Sequence, residues 1–456
     1  MKAFNWAGLS SLIALASLAH LTSADHGRFL ALPLKRERTS GYRSDLKRQL
    51  NTSPRIAYGE ESYLVSVDIG SPKQTVKLAV DVSSYETWAI GDCSSFFFGE
   101  DECKKAGIYN DSLSDTSVYI PVSYEERYLD NDDGSAYSLS YYADDLTIQG
   151  GETLKNVTFG LYDYSSTQLG VLGLGFGKGV NSNHSNIIDE LVDQGHIQTR
   201  AFSLALGPLR SEEGSLILGG VDTKKFSGPL QRLPIVDPPE FGFNYHQTQY
   251  WITIDEATAH QADENVTTFP SFKAMQHSDA EHSLLPPDLV NTIAAHFGIT
   301  PTEDDYHWYL VSCDYKNMTG SLDLKFGNLA VSVPYGDLII QNDDVSPIEG
   351  GCYFSVMPRN VTDDGEIFWL GQNIMGHLYT VYDQEGRALW LAKYQDCGSE
   401  VIEITKDENS IAGINGQCEG PAEGSAEGSA ESFGHRVAAP TAVWLSCMFA
   451  GLLPLL

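Results

Sequence analysis

From Tyr58 to Lys393 the apolar residues alternate with polar ones in short runs, each closed by Gly, Pro, Asn or Ser. This period of two constrains the chain most, because a slip of one residue would turn every buried side chain of a strand to solvent. Tyr63–Ile69 and Val76–Val80 read as strands joined by the turn Gly70-Ser71-Pro72-Lys73. Further strands are expected at 144–149, 201–206, 214–218, 249–254, 366–370 and 378–393. Only two stretches carry a helical pattern: Asn186 to Gln194, and Pro287 to Phe297, where Asp288 follows Pro286-Pro287 as a start signal. Many strands with few helices over so long a span predict an all-β protein in two lobes, at 49–235 and 236–398.

Charge removes one class of function. The 456 residues hold 29 Lys and Arg against 61 Asp and Glu, a net charge of −32. A surface so acidic repels phosphate backbones, which excludes nucleic acid as a partner. The first 48 residues run the other way, with 8 basic and 3 acidic side chains. Lys2, the apolar stretch Leu9–Leu21 and the small residues Thr22-Ser23-Ala24 read as a secretory signal over 1–24. The basic segment 25–48 holds Lys35-Arg36 and Lys47-Arg48. It reads either as a short prosegment cut at a dibasic pair or as a solvated flexible arm.

Toward the other end, Glu419–Ser432 is a repetitive Gly/Ser/Ala/Glu run that cannot build a core, and 399–432 is expected to be a flexible stalk. A polar spacer with His435 and Arg436 leads to the apolar tail Val443–Leu456. Small residues, spacer and apolar tail predict a GPI attachment signal over 433–456, with attachment between Gly424 and Ser432. The tail is shorter than the ~20 residues that span a bilayer. Sequons at Asn51, Asn110, Asn156, Asn183, Asn265, Asn317 and Asn360 predict a glycoprotein at the cell surface. Of the 7 cysteines, Cys447 falls in the discarded tail, and the remaining six imply disulfides in an oxidising compartment. No Cys or His spacing suggests a metal, and no cofactor is implied.

A set of segments in fixed order carries a resemblance. Asp81 ends an apolar strand in Leu78-Ala79-Val80-Asp81-Val82-Ser83-Ser84-Tyr85-Glu86-Thr87-Trp88. Downstream come Val171-Leu172-Gly173-Leu174-Gly175, Gly214-Ser215-Leu216-Ile217-Leu218-Gly219-Gly220-Val221-Asp222, and then Trp369-Leu370-Gly371. From Tyr58 to Tyr394 this resembles the pepsin-like aspartic proteases, in particular the fungal secreted and yapsin-type surface members. The resemblance implies a bilobal fold with a cleft between the lobes, and disulfides Cys93–Cys103 and Cys313–Cys352. It also implies an acidic dyad, one Asp from each lobe within an Asp-Thr/Ser-Gly turn. Two carboxylates that close share one proton, so one activates water while the other polarises the scissile carbonyl.

Both turns depart from that pattern. The first reads Asp81-Val82-Ser83, which keeps the acid and loses the hydroxyl and the glycine. Counting back from Leu285-Pro286 without a gap places His277 at the second acid, Ser278 at the hydroxyl position and Asp279 at the glycine. A gap of two would offer Asp279 as the acid instead. The family's flap is expected in Tyr124–Gln149, with Tyr128 at its tip, Tyr137 as a competitor and Trp88 as hydrogen-bond partner beneath it. Ser84 and Ser278 complete the expected substrate-contacting set. The chain is thus expected to be a monomeric pseudoprotease holding an extended peptide or protein ligand. The alternative is an acid endopeptidase using Asp81 with His277 or Asp279.

Overall fold

The computed structural model describes residues 28–38, 61–94, 100–121, 128–130, 136–149, 151–162, 169–209, 211, 213–239, 248–261, 265–299, 309–341, 352–358, 367–407 and 409–419. The fold is all-β and bilobal, built around one large sheet. Four strands near the start of the chain position the site: β1 (Leu30–Arg38), β2 (Glu61–Ile69), β3 (Gln74–Asp81) and β4 (Trp88–Ile90). In the sheet the order runs Asn415–Gln417, Phe226–Pro234, Ala388–Tyr394, Leu378–Asp383, Ala201–Ala205, Glu213–Leu218, β1, β2, β3. It continues through Gly170–Gly173, β4, Thr153–Tyr162 and Ser140–Ile148 to Val118–Ile120.

The second lobe carries its own sheet, ordered Trp251–Ile254, Phe272–Gln276, Trp369–Leu370, Ser283–Leu285 and Val356–Pro358. The two lobes repeat one arrangement. In the first, β3 pairs in parallel with Gly170–Gly173, Asp81 opposite Gly173. In the second, Phe272–Gln276 pairs in parallel with Trp369–Leu370, Gln276 opposite Leu370. Each strand therefore ends beside a Leu-Gly pair. The glycine is required at Gly371, where an added Cβ would fall 1.9 Å from the His282 carbonyl oxygen. The strand 378–393 of the sequence reading is two strands, Leu378–Asp383 and Ala388–Tyr394, which return to the large sheet beside Ala201–Ala205.

Both expected helices form. Ile187–Asp193 starts on a capping box in which Asn186 accepts from the Asp189 amide while Asp189 accepts from Asn186. Pro287–His296 buries Leu289, Val290, Ile293 and Ala294. A short helix, Glu100–Ala106, was not expected; it carries Cys103 to Cys93.

Two expectations about the ends of the fold need correction. Residues 30–38 are not a solvated arm: β1 pairs with Glu213–Leu218 on one side and β2 on the other. Its alternation Leu30-Ala31-Leu32-Pro33-Leu34 buries Leu32 and Leu34 in the main core. The flexible stalk does not begin at residue 399. Val401–Glu403 pairs with Gly220–Asp222, Asn415–Gln417 pairs with Phe226–Pro234, and Ile404, Ile411 and Ile414 are buried. A disulfide from Cys397 to Cys418 closes this extension, beside Cys93–Cys103 and Cys313–Cys352. The low-complexity run, the spacer and the tail from residue 420 lie outside the described residues, as do 1–27 and 39–60. Among the described residues no helix is long and apolar enough to cross a membrane.

The sequence separation of 21 residues between Cys397 and Cys418 sets a loop whose closure restrains the unfolded chain. The double variant Cys397→Ser/Cys418→Ser is expected to lose about 3 kcal/mol of unfolding free energy. Chemical denaturation checks this; an unchanged midpoint would show that the extension is held by packing alone.

Candidate active site

Asp81 is buried at the end of β3 and its Oδ1 accepts two bonds from one residue, the Ser83 backbone N–H at 2.7 Å and the Ser83 hydroxyl at 2.7 Å. The turn keeps the acid oriented although its glycine is gone. Val82, which replaces the hydroxyl residue, is fully buried and packs into the main core. Ser84 is half-buried, its hydroxyl donating to the Glu86 carbonyl at 3.2 Å and its own carbonyl accepting from Gly175.

Ser278 ties the two lobes together here. Its hydroxyl donates to the Val80 carbonyl at 2.7 Å and accepts from the Val82 amide at 3.0 Å, bracketing Asp81 from the opposite lobe. Val82 has no hydroxyl to return the contact, so the interlock is one-sided. This bond fixes the register of the second turn, because Ser278 can bracket Asp81 only if its predecessor faces the same junction. The strand pairing agrees: carried on by one residue, the register that sets Gln276 opposite Leu370 sets His277 opposite Gly371, and the His277 amide donates to Leu370 at 3.0 Å. In register, His277 stands to Gly371 as Asp81 stands to Gly173. Its Nδ1 is buried and has no hydrogen-bond partner among the described residues, and its ring lies 5.6 Å from that of Trp369.

Asp279 takes the glycine position and turns its carboxylate to β2, where the Ser62 hydroxyl donates to Oδ1 at 2.8 Å. Burial and the negative charge of Asp81 push its carboxyl up to about 7, with the Ser62 bond and His277 opposing. Asp279 is therefore protonated under acid conditions and lies within the electrostatic reach of Asp81. Asp279 and His277 thus lie in one electrostatic neighbourhood with Asp81.

Sequence reasoning missed the groups that surround these three. Glu281 is almost wholly enclosed and accepts from Arg36 of β1 at 3.0 Å and from the Tyr353 hydroxyl at 2.8 Å. His282 is pushed down to about 3 by burial and by the neighbouring His277. Beneath the junction the Tyr382 hydroxyl donates to the Gln276 side chain, and the Gln276 amide donates to Thr380 at 3.2 Å. The one available signal was periodicity: in β1 the inward positions 30, 32 and 34 lead to 36, which points Arg36 to the core side.

Where the flap is expected, two short strands pair. Tyr128–Asp130 pairs with Ala136–Ser138 as a hairpin, Leu129 opposite Tyr137. The side chains of Tyr128 and Tyr137 lie outside the described residues. Trp88 is buried in a satellite cluster, its ring edge-on to Tyr162 at 5.7 Å. Of the sequons, Asn110, Asn156, Asn183 and Asn317 have exposed side chains, whereas Asn51, Asn360 and the side chain of Asn265 fall outside the described residues. Among the described residues no cluster of His, Cys, Asp and Glu could hold a metal ion.

Two outcomes are expected. Ser278→Ala removes both bonds at the junction and leaves the Val82 amide buried without its acceptor, which lowers stability by about 1–3 kcal/mol in denaturant unfolding. Asp279 binds its proton more tightly folded than unfolded, so its contribution is complete below the ordinary carboxylate range and is lost as pH rises toward 7. The thermal midpoint of the wild type is expected to fall over that interval more steeply than that of Asp279→Asn. Parallel profiles would contradict the assignment.

Comparison with known proteins agrees with this geometry. The model of the family described as eukaryotic aspartyl protease matches residues 62–394. The chain is 26% identical over 379 residues to a probable aspartic-type endopeptidase, opsB, of Aspergillus oryzae, covering 80% of this chain and 76% of that one. It is 28% identical over 348 residues to secreted aspartic protease 8 of Candida albicans, covering 75% and 78%. To the aspartic proteinase yapsin-3 of Saccharomyces cerevisiae it is 23% identical over 420 residues, covering 87% and 80%. By this match and by the repeated turn geometry of its two lobes, the chain belongs to the eukaryotic aspartyl protease family.

Proposed function

We propose that this protein is a secreted, GPI-anchored member of the family that holds an extended peptide in its cleft without cleaving it efficiently. One observation supports the reading: Ser278 brackets the Asp81 turn from the other lobe, and the residue before it is His277 rather than a carboxyl. Imidazole cannot share a proton with Asp81 as a second carboxyl would. Once charged it forms an ion pair that fixes the Asp81 carboxylate rather than passing a proton between equals. The one-sided interlock adds to this, since Val82 gives the opposite turn no hydroxyl. The paired strands Tyr128–Asp130 and Ala136–Ser138, in the segment where the flap is expected, are consistent with a substrate-binding role. The name secreted aspartic protease 8, borne by a relative, supports export. The leader and tail patterns support a lipid-anchored monomer at the cell surface.

A second reading rests on Asp279. With its carboxyl pushed up to about 7 by burial and by the charge of Asp81, Asp279 is a candidate for the proton-bearing acid that acid peptidase chemistry needs. Asp81 would take a proton from water while Asp279 donates to the scissile carbonyl, giving a slow peptidase displaced from the family's usual pair.

Two measurements separate the readings. Calorimetry of the full protein with an uncleavable, hydroxyl-bearing peptide mimic is expected to show binding, and His277→Asp is expected to raise peptide turnover at acid pH by at least about 10²-fold. If the mimic does not bind, the cleft reading is lost. Wild-type turnover that Asp279→Asn abolishes would favour the slow peptidase.

A further inference from the structure

We propose that Gln249 is a positioning residue for Asp81, holding the Ser83 carbonyl from the opposite lobe as a second fastening beside that of Ser278. Its role rests on the reading that an extended peptide meets Asp81 in the cleft.

Among the described residues, three backbone groups around Asp81 bond to side chains of the second lobe. Ser278 takes two of them, the Val80 carbonyl and the Val82 amide. The third is the Ser83 carbonyl, which accepts from Gln249 Nε2 at 3.2 Å across 166 residues of chain. Gln249 is 8% exposed, so this bond is largely shielded from water. Ser83 matters because its amide and its hydroxyl both donate to Asp81 Oδ1. Peptide groups are planar, so a turn held at the Val82 amide and again at the Ser83 carbonyl has little freedom left between them. Both donors to Asp81 lie in that interval. Val82 brings no hydroxyl to the junction, and Gln249 supplies a side-chain bond across it instead.

The residues on either side brace Gln249. The Asn181 side chain donates to the Thr248 carbonyl at 2.8 Å and accepts from the Thr248 amide at 2.6 Å. The Tyr250 hydroxyl donates to the Leu174 carbonyl at 2.7 Å, and the Leu174 amide donates to the Asp81 carbonyl at 2.9 Å. Three consecutive residues thus reach three segments of the first lobe, and the middle one reaches the turn that presents the acid. From Trp251 the chain continues as a strand of the second lobe's sheet. A ligand group that bonds Asp81 therefore depends on Gln249, whereas contacts made elsewhere along the cleft do not.

The test is calorimetry of the full protein with two uncleavable peptide mimics, identical except that one carries a hydroxyl opposite Asp81 and the other a hydrogen. Gln249→Leu keeps the bulk of the side chain and removes its donor. It is expected to weaken the hydroxyl mimic by ~3–10-fold, the worth of one hydrogen bond, and to leave the other mimic within about 2-fold. A side chain that only filled space would weaken both alike. Gln249→Glu adds a pH readout, because its carboxyl donates to Ser83 only while protonated. Measured against the wild type at each pH, which cancels the titration of Asp81, His277, Asp279 and Glu281, its affinity for the hydroxyl mimic is expected to match at about pH 4 and to fall short at about pH 7. Equal loss of both mimics, no loss of either, or a pH-independent Gln249→Glu overturns the role given to Gln249. If the wild type binds neither mimic, the cleft reading itself is overturned and this role with it.

Discussion

The site depends on a single hydroxyl. Ser278 donates to Val80 and accepts from Val82, so one side chain of the second lobe holds the turn that presents Asp81. Every assignment at the junction follows from it. Ser278 is flanked by His277 and Asp279, so the contact brings both of them to the junction. In return the Asp81 turn relies on Ser83, whose amide and hydroxyl both serve Oδ1. The turn geometry has survived the loss of residues that normally build it, because backbone donors and a single inter-lobe serine suffice.

Enclosure of charge is the second constraint. Asp81, Asp279 and Glu281 crowd one region, and three carboxylates cannot all ionise there without compensation. The structure uses two remedies. Arg36 neutralises Glu281 directly, and Asp279 keeps its proton up to about 7. His282, pushed down to about 3, adds no positive charge of its own under most conditions. A strand whose charge pattern reads as an exposed arm thus becomes part of the electrostatics of the site, through the contact of Arg36 with Glu281.

Much of this was legible in the sequence where a local rule has one solution. The period of two placed the strands, the Leu-Gly pairs marked their partners, and counting back from Leu285-Pro286 put Ser278 at the junction. What escaped were contacts between distant segments. Arg36 and Glu281 are 245 residues apart and Ser62 and Asp279 are 217 apart, and neither pairing has a sequence signature. The extension after residue 398 was misjudged because it runs without a clear strand pattern into the low-complexity segment, and Ile404, Ile411, Ile414 and the Cys397–Cys418 bridge show that it packs. The position of β1 was hidden by its charge: three basic residues within 35–38 outweigh an alternation that, read alone, describes a strand.

The central claim is that a histidine in the second acid's place leaves a binding cleft with little catalysis. It is tested most directly by measuring cleavage of a diverse peptide library by the folded protein from pH 3 to 7, with Asp81→Asn beside it. The account predicts no turnover in the wild type beyond that of Asp81→Asn. Robust wild-type cleavage that disappears in Asp81→Asn would contradict it and make Asp81 half of a working, rearranged dyad.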